Sequence, residues 1–235
     1  MKTATRPHIE IASWRDLSDL LPRLAQHTWL FRGETQLGRE LKPKAGRVGK
    51  ELDAARKIPF DPKHEAQILS LFKRQARPYL SHTPTNDIEW LAVAQHHGMH
   101  TRLLDWSESL LVAAYFAVKN AGVKGHAVIH GIRGVPEMRS AEEISPFKLR
   151  RLVLYRPPHI APRIPAQSSV FTVHPNPTMA LSGPTLKSWV ISSDACMKIK
   201  RMLDSCAINE STLFPDLDGL ARHLGWRYKW GKLPA

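Results

Sequence analysis

This 235-residue chain has few cysteines and no long apolar run, and each shortage excludes a class of protein. Its two cysteines, Cys196 and Cys206, form no Cys-x-x-Cys pair, which argues against a disulfide framework and favours a reduced compartment. No apolar stretch approaches the roughly 20 residues that span a bilayer. The basic residues at the start are not followed by the apolar block of a secretory signal. We therefore expect a soluble, cytoplasmic protein with no membrane contact.

Three catalytic or metal-binding patterns are also missing. There is no Gly-x-x-x-x-Gly-Lys phosphate loop, which disfavours ATP hydrolysis, and no Gly-x-Ser-x-Gly elbow for a serine nucleophile. His96, His97 and His100 lie close together, but Gly98 disfavours the regular helix that would align two of them on zinc. We expect no metal site. His96 or His97 could instead act as a general base, because imidazole titrates near neutrality.

The chain is rich in positive charge. Its 34 Lys and Arg residues against 21 Asp and Glu residues give a formal net charge of +13, which favours attraction to polyanions. Much of this charge lies in a basic loop between residues 36 and 57 and in the C-terminal tail. These predict a nucleic-acid or partner surface, although charged runs are usually just solvated. The candidate residues are Arg39, Lys42, Lys44, Arg47, Arg227 and Lys229.

The most informative stretch is residues 95–107, QHHGMHTRLLDWS, which is dense in donors and acceptors. The apolar segment 108–118, ESLLVAAYFAV, follows directly. Apolar residues recur here at helical spacing, which predicts a buried helix that begins near Asp105 or Ser107 and is capped by one of them. This arrangement suits a functional site on a rigid platform. It equally suits a capped core helix after a polar loop.

The pattern along the chain predicts one α+β domain that is helical before Gly125 and rich in strands after it. Helices are expected after Ser13, from Pro62 to Ala76 and from about Thr85. Strands are expected at Trp29–Glu34, 125–132, 151–156, 167–174 and 189–191. We expect a single domain over 1–235 with a core of about 9–224. A basic aromatic tail follows at 225–235.

Three segments together resemble one family. Phe31-Arg32-Gly33, the block from Gln95 to Val118, and the closing segment from Thr212 to Leu220 appear in the order of the FRG domain. That family is named for its Phe-Arg-Gly tripeptide and occurs in bacteria and their phages. The tripeptide alone is unspecific, whereas Gln-His-x-Gly-x-x-Thr-Arg-Leu-Leu-Asp-Trp is highly specific. The resemblance implies a bacterial or phage origin, and we expect an effector or toxin that acts in phage–host conflict.

The layout is also distantly similar to the ADP-ribosyltransferase fold, which binds NAD between two mostly antiparallel sheets. This similarity implies that Arg32 holds the pyrophosphate or ribose of NAD, and that the Thr101–Ser107 segment and Gln167 complete the site. Asp105, which does not match a position of that fold, and His97, a candidate general base, add to these residues. We therefore expect a catalytic set of Arg32, Asp105, Ser107, Gln167 and His97, and an NAD-binding set of Arg32, Gly33, Thr101, Arg102, Trp106 and Phe116.

One position departs from that pattern. Transfer from NAD develops positive charge on the ribose, which a carboxylate stabilises, but Gln167 stands in place of a Glu and, being uncharged, cannot stabilise that charge. Asp105 or Glu65 could supply the charge. We therefore expect an NAD-dependent ADP-ribosyltransferase or glycohydrolase acting on a host macromolecule. The alternative is a non-catalytic basic module that binds nucleic acid or inhibits a host protein. The acceptor and the oligomeric state stay open.

Overall fold

A computed structural model describes residues 9–47, 60–80, 82–121, 125–138, 145–158 and 161–229. Its strands are β1 (Ile9–Ile11), β2 (Leu30–Glu34), β3 (Leu103–Ser107), β4 (Ala127–Ile132), β5 (Val153–Tyr155), β6 (Ser169–Val173) and β7 (Leu186–Ile191). They form one sheet in the order β1-β7-β4-β2-β3-β6-β5. Within it, β1 and β7 are parallel and the other neighbours are antiparallel. The fold is thus a mixed α/β one.

The helices cover both halves of this sheet. They are α1 (Trp14–Ser18), α2 (Leu20–Leu24), α3 (Pro62–Ala76), α4 (Asp87–His96), α5 (Leu110–Val118), α6 (Arg163–Ala166), α7 (Ser193–Ser205), α8 (Glu210–Leu213) and α9 (Leu217–Lys229). Short 3-10 turns lie at Lys44–Arg47, Arg77–Tyr79 and Pro146–Lys148. The expected helices after Ser13 and over Pro62–Ala76 are present, and Asn86 caps α4.

The sheet is continuous, which differs from the expected pair of sheets. The joint between β2 and β3 is nevertheless narrow, because Phe31 opposite Ser107 is their one register pair among the described residues. By contrast, β2 pairs with β4, and β3 with β6, over five residues each. The sheet therefore consists of two well-paired halves that meet at a short seam.

The stretch around Asp105 forms a strand, not the predicted start of a helix. Leu103–Ser107 is β3, and the helix behind it begins at Leu110 with Ser109 as its cap, whose side chain accepts a hydrogen bond from the Val112 N–H. Side chains on both faces of β3 are buried, since Leu103 packs in one apolar cluster and Leu104 in another. A strand covered on both faces has consecutive apolar residues, which resemble helical spacing.

Gly33 allows α5 to lie directly on β2. A Cβ built at Gly33 would lie 2.0 Å from the Ala113 carbonyl oxygen and 2.4 Å from the Ala117 nitrogen. Helix α5 is buried along almost its whole length and shares an apolar cluster with Phe31, Trp189 and Ile199. The glycine of the Phe-Arg-Gly tripeptide thus sets the separation of helix and sheet beside the seam.

Candidate active site

A cleft of about 390 Å³ opens at the seam between β2 and β3. Helix α5 and the segments around α6 and Phe214 form its other walls. It is lined by Phe31, Arg32, Gly33, Lys44, Gln95, His96, Asp105, Trp106, Ser107, Ala113, Phe116, Lys119, Arg163, Gln167, Ser169 and Phe214. Residues from β2, β3 and the α6–β6 turn therefore converge, as the sequence resemblance implied.

Arg32 connects the two strands at the seam. Its Nε donates to Glu34 at 2.8 Å, and its Nη1 donates to the main-chain oxygen of Asp105 at 2.9 Å and lies 3.4 Å from the Asp105 carboxylate. The Arg32 side chain is 18 % exposed. Burial by itself raises the pKa of the Glu34 carboxyl, but the neighbouring Arg32 and Arg39 cations hold that pKa below its usual value. Arg32 is thus an anchored guanidinium with a small edge towards the cleft.

Asp105 presents an exposed carboxylate that two neighbours hold in place. Its side chain is 51 % exposed, and besides Arg32 it accepts a hydrogen bond from Gln95 Nε2 at 3.0 Å. The Gln95 amide is fixed in turn, because its oxygen accepts from the Thr101 hydroxyl at 2.6 Å and its nitrogen donates to the Leu103 carbonyl. The Gln, Thr and Asp of the specific motif therefore form one network that aims Asp105.

Ser107, which follows Asp105 by two residues on β3, meets Gln167. The Ser107 hydroxyl donates to the Gln167 carbonyl at 2.7 Å, and the Gln167 side-chain amide donates to the Leu213 carbonyl at 2.9 Å. Gln167 does not open a strand as expected, since it caps the C-terminus of α6 and β6 begins at Ser169. Its side-chain amide is oriented by Leu213 of α8. Among the described residues that line the cleft, Asp105 is the one that carries a carboxylate.

Cations and aromatic rings form the outer walls of the cleft. Lys44 and Lys119 are exposed, and Arg163 forms an ion pair with Asp216. Phe116 and Phe214 meet edge to face with ring centroids 6.1 Å apart. The Phe214 ring also lies 5.1 Å from the Arg163 guanidinium carbon and 5.9 Å from the Lys119 nitrogen. Such a wall favours an anionic ligand that carries a ring or a sugar.

Comparison with protein families gives a match to part of the chain. Residues 27–125 match the model of the FRG domain. The match supports the family resemblance, and it is shorter than the expected core of 9–224. No curated protein and no solved structure matches the chain. The matched residues, here called the FRG segment, contain Arg32, Asp105 and Gly33, whereas Gln167 and Phe214 lie beyond it.

Within the FRG segment, Arg102 lies in the core and not in the cleft. Its side chain is 1 % exposed, and its Nη2 lies 2.6 Å from the Glu65 carboxylate, which is 5 % exposed. The Arg102 guanidinium also lies 4.8 Å from the Phe147 ring centroid. Helix α3 carries Glu65, so the pair attaches α3 to the start of β3. We correct the expected NAD contact of Arg102 to a structural role, and Glu65 is not available as a catalytic charge.

Three other expected site residues, of which Trp106 alone lines the cleft, make different contacts from those expected. Thr101 is completely buried and acts through Gln95. The Trp106 indole is buried and donates to the Thr172 hydroxyl at 2.9 Å, so its ring supports the strand. His97 is exposed and lines a neighbouring pocket instead of the cleft. Lys119, Arg163 and Phe214 were missed as site residues, although the family-like segment from Thr212 to Leu220 contains Phe214.

The expected basic surface is largely paired with acids in the described residues. Arg39 lies 3.6 Å from Glu34, Lys42 lies 2.9 Å from Glu40, and Arg227 lies 3.1 Å from Asp204. Arg47 donates to the Glu40 carbonyl. Lys229 is exposed on α9, and Lys44 lines the cleft. The rest of the basic loop (48–57) and of the tail (230–235) lies outside the described residues.

The sequence predicts neither a metal site nor a membrane span, and the structure bears on both only for the described residues. Among them, no group of three or more His, Cys, Asp or Glu side chains is arranged to hold a metal ion. None of the helices formed by these residues is long and apolar enough to cross a membrane.

Proposed function

We propose that this chain consumes NAD, either by transferring ADP-ribose to a host macromolecule or by hydrolysing the nicotinamide–ribose bond. The observation that carries the proposal is the position of Asp105. Its half-exposed carboxylate, held by Arg32 and Gln95, lines the same cleft as three cationic side chains. A dinucleotide carries a pyrophosphate and a reacting ribose, and these need positive and negative partners respectively.

The cleft divides these tasks among its residues. Lys44 and Lys119 supply positive charge for the pyrophosphate, since Lys binds phosphate oxygens by charge-assisted hydrogen bonds, whereas Asp216 compensates the charge of Arg163. Phe116 and Phe214 supply apolar ring faces for the nicotinamide end. Arg32 orients the Asp105 carboxylate instead of binding phosphate with a free guanidinium, because Glu34 and Asp105 already occupy most of its donors.

The reaction breaks the bond between C1′ of the ribose and the ring nitrogen of nicotinamide. Nicotinamide leaves with the bonding electron pair, and the ribose acquires oxocarbenium character. Asp105 stabilises this charge electrostatically, in the role that a glutamate on the later strand would have had. Water or a nucleophile of the acceptor then bonds to C1′ and releases a proton. Gln167 can position a ribose hydroxyl but adds no charge.

The test is release of nicotinamide from NAD, measured by chromatography with the purified chain alone and with cell lysate. We expect Asp105→Asn to lower kcat by about a hundredfold or more, the usual effect of removing one preorganised electrostatic group. Asp194→Asn removes an equally exposed carboxylate from the start of α7, outside the cleft, and should leave kcat unchanged.

Two results would separate or contradict the reactions. Transfer of label from adenine-labelled NAD to a macromolecule indicates the transferase, and free ADP-ribose indicates the glycohydrolase. If the wild-type chain releases no nicotinamide under either condition, or if Asp105→Asn is as active as wild type, the proposal is wrong.

A further inference from the structure

A second pocket of about 270 Å³ lies beside the cleft, between α4, the turn after α3 and the α6 region. It is lined by Tyr79, Leu80, His82, Ala92, Val93, His96, His97, Ala161, Pro162, Arg163, Ile164, Pro215 and Asp216. We call it the side pocket. His96 and Arg163 line both the side pocket and the cleft, so the two adjoin at these residues.

Planar rings and apolar groups dominate the walls of the side pocket. Tyr79 is 87 % exposed, and His82 and His97 are also exposed at the surface of this pocket. The His96 and His97 rings meet edge to face with centroids 5.5 Å apart. Ala92, Val93 and Ile164 provide a buried apolar floor. An exposed tyrosine ring over such a floor leaves an aromatic face that a flat ligand can cover.

The charge of the side pocket differs from that of the cleft. Among the described residues that line it, the only Lys, Arg, Asp or Glu side chains are Arg163 and Asp216, which form an ion pair with each other. Burial lowers the pKa of His96 to about 4, helped by the nearby Arg163 cation and His97, so this imidazole is neutral at pH 7. A pocket with a neutral imidazole at His96 and a compensated ion pair suits an uncharged heteroaromatic ring better than a phosphate.

We propose that the side pocket binds a nucleobase, while the cleft holds the phosphate and sugar attached to it. The side pocket by itself is slightly below the roughly 300–1,000 Å³ of ligand pockets, whereas the side pocket and cleft together fall within that range. Stacking on Tyr79 and hydrogen bonds to His96 and His97 would recognise the base. The base is either the adenine of NAD, in which case the inference rests on the proposed function, or a base of a nucleic acid strand.

Binding of AMP and of ribose 5-phosphate, measured by calorimetry, tests this inference without any turnover. The wild-type chain should bind AMP more tightly than ribose 5-phosphate, which has the same phosphate and sugar but no base. Tyr79→Ala should weaken the binding of AMP about five- to a hundredfold, which is the range expected for loss of one base–aromatic stack. It should leave the affinity for ribose 5-phosphate unchanged. His97→Ala should weaken AMP in the same selective way.

Matched controls remove similar side chains elsewhere. Tyr228→Ala deletes an 80 % exposed tyrosine on α9, and His64→Ala deletes an exposed histidine on α3. Neither residue lines the side pocket or the cleft, so neither change should alter AMP binding. Equal affinity of the wild-type chain for the two ligands, or AMP binding that Tyr79→Ala and His97→Ala leave intact, overturns the inference.

Two further measurements identify the source of the base. If it is the adenine of NAD, Tyr79→Ala raises KM for NAD but not for nicotinamide mononucleotide, which lacks adenine. If it is a base of a nucleic acid, Tyr79→Ala weakens the binding of a short single-stranded oligonucleotide and leaves KM for NAD unchanged. Selective loss of AMP binding in a chain that never consumes NAD supports the side pocket and rejects the proposed function. NAD consumption with AMP binding insensitive to Tyr79→Ala supports the proposed function and rejects the side pocket.

Discussion

Two arginines of the FRG segment make the same kind of ion pair in different surroundings. Arg102 pairs with Glu65 in the core, where the two side chains are 1 % and 5 % exposed. Arg32 pairs with Glu34 and Asp105 at the seam of the sheet, where Asp105 is 51 % exposed. The core pair joins α3 to β3 and is closed to a ligand by its burial. The seam cluster leaves a carboxylate open to a ligand, which makes it the candidate for chemistry.

Breaking the core pair should have the largest effect on stability. Glu65→Ala leaves the Arg102 guanidinium buried without its carboxylate, and removal of one partner of a buried pair typically costs about 3–5 kcal/mol. We expect this loss in the free energy of unfolding, measured by urea denaturation followed by circular dichroism. Gln67→Ala changes an exposed residue of the same helix and should change the free energy by less than about 0.5 kcal/mol.

A double substitution separates loss of the pair from loss of volume. Glu65→Leu combined with Arg102→Met replaces both charges with apolar side chains, which is often close to neutral for a buried pair. The double variant should therefore be clearly more stable than Glu65→Ala. If Glu65→Ala itself unfolds no more easily than the wild-type chain, the structural role that we give to Arg102 is wrong.

Low pH should lower the free energy of unfolding through His174, a histidine next to Arg102 in the core. Burial lowers the pKa of His174 to about 4 from 6.5, its Nε2 lies 3.0 Å from the Thr172 hydroxyl, and its backbone N–H donates to the Arg102 carbonyl. The folded chain keeps this imidazole neutral, whereas the unfolded chain takes up a proton once the pH falls below about 6.5. The stability that the neutral form contributes is thus complete above pH 6.5 and is lost as the pH falls towards 4.

This loss should reach about 3 kcal/mol, since each unit of pKa difference corresponds to about 1.4 kcal/mol. Urea denaturation at pH 7, 6, 5 and 4.5 measures it. His174→Gln keeps a hydrogen-bonding amide but cannot titrate, so its stability should fall less steeply over this range than that of the wild type. His64→Gln, at an exposed position on α3, should leave the slope unchanged. Parallel profiles for wild type and His174→Gln would contradict the assignment.

The two arginines also show which parts of the site could be predicted from the sequence and which could not. The convergence of Arg32, Asp105, Ser107 and Gln167 could be expected from the family-like motifs, because each lies at a recognisable position. The burial of Arg102 could not, since its partner Glu65 precedes it by 37 positions and no local spacing indicates that contact. The sequence instead suggests Glu65 as a source of catalytic charge, which its burial against Arg102 excludes.

The misassigned helix start and the missed cleft residues have similar causes. Leu103 and Leu104, together with the apolar residues that follow them, recur at helical spacing. The two side chains nevertheless lie in separate clusters on opposite faces of β3. Lys119, Arg163 and Phe214 come from three distant segments, and only the packing of α5, α6 and α8 around the seam brings them to one wall. Sequence patterns predict elements and motifs, whereas they do not specify which side chains of different elements share a cavity.

Apart from the control variants, the smallest change in the free energy of unfolding is expected at the seam. Asp105→Asn also removes one carboxylate from an arginine pair, yet it should change the free energy of unfolding by less than about 1 kcal/mol, because exposed ion pairs contribute little and Arg32 keeps its closer partner Glu34 at 2.7 Å. Urea denaturation of Asp105→Asn beside Glu65→Ala measures both values under the same conditions. A loss at Asp105 as large as that at Glu65 would mean that this carboxylate, like its counterpart in the core, serves the fold. A small loss, together with a large fall in nicotinamide release, would mean that the seam holds Asp105 for a ligand.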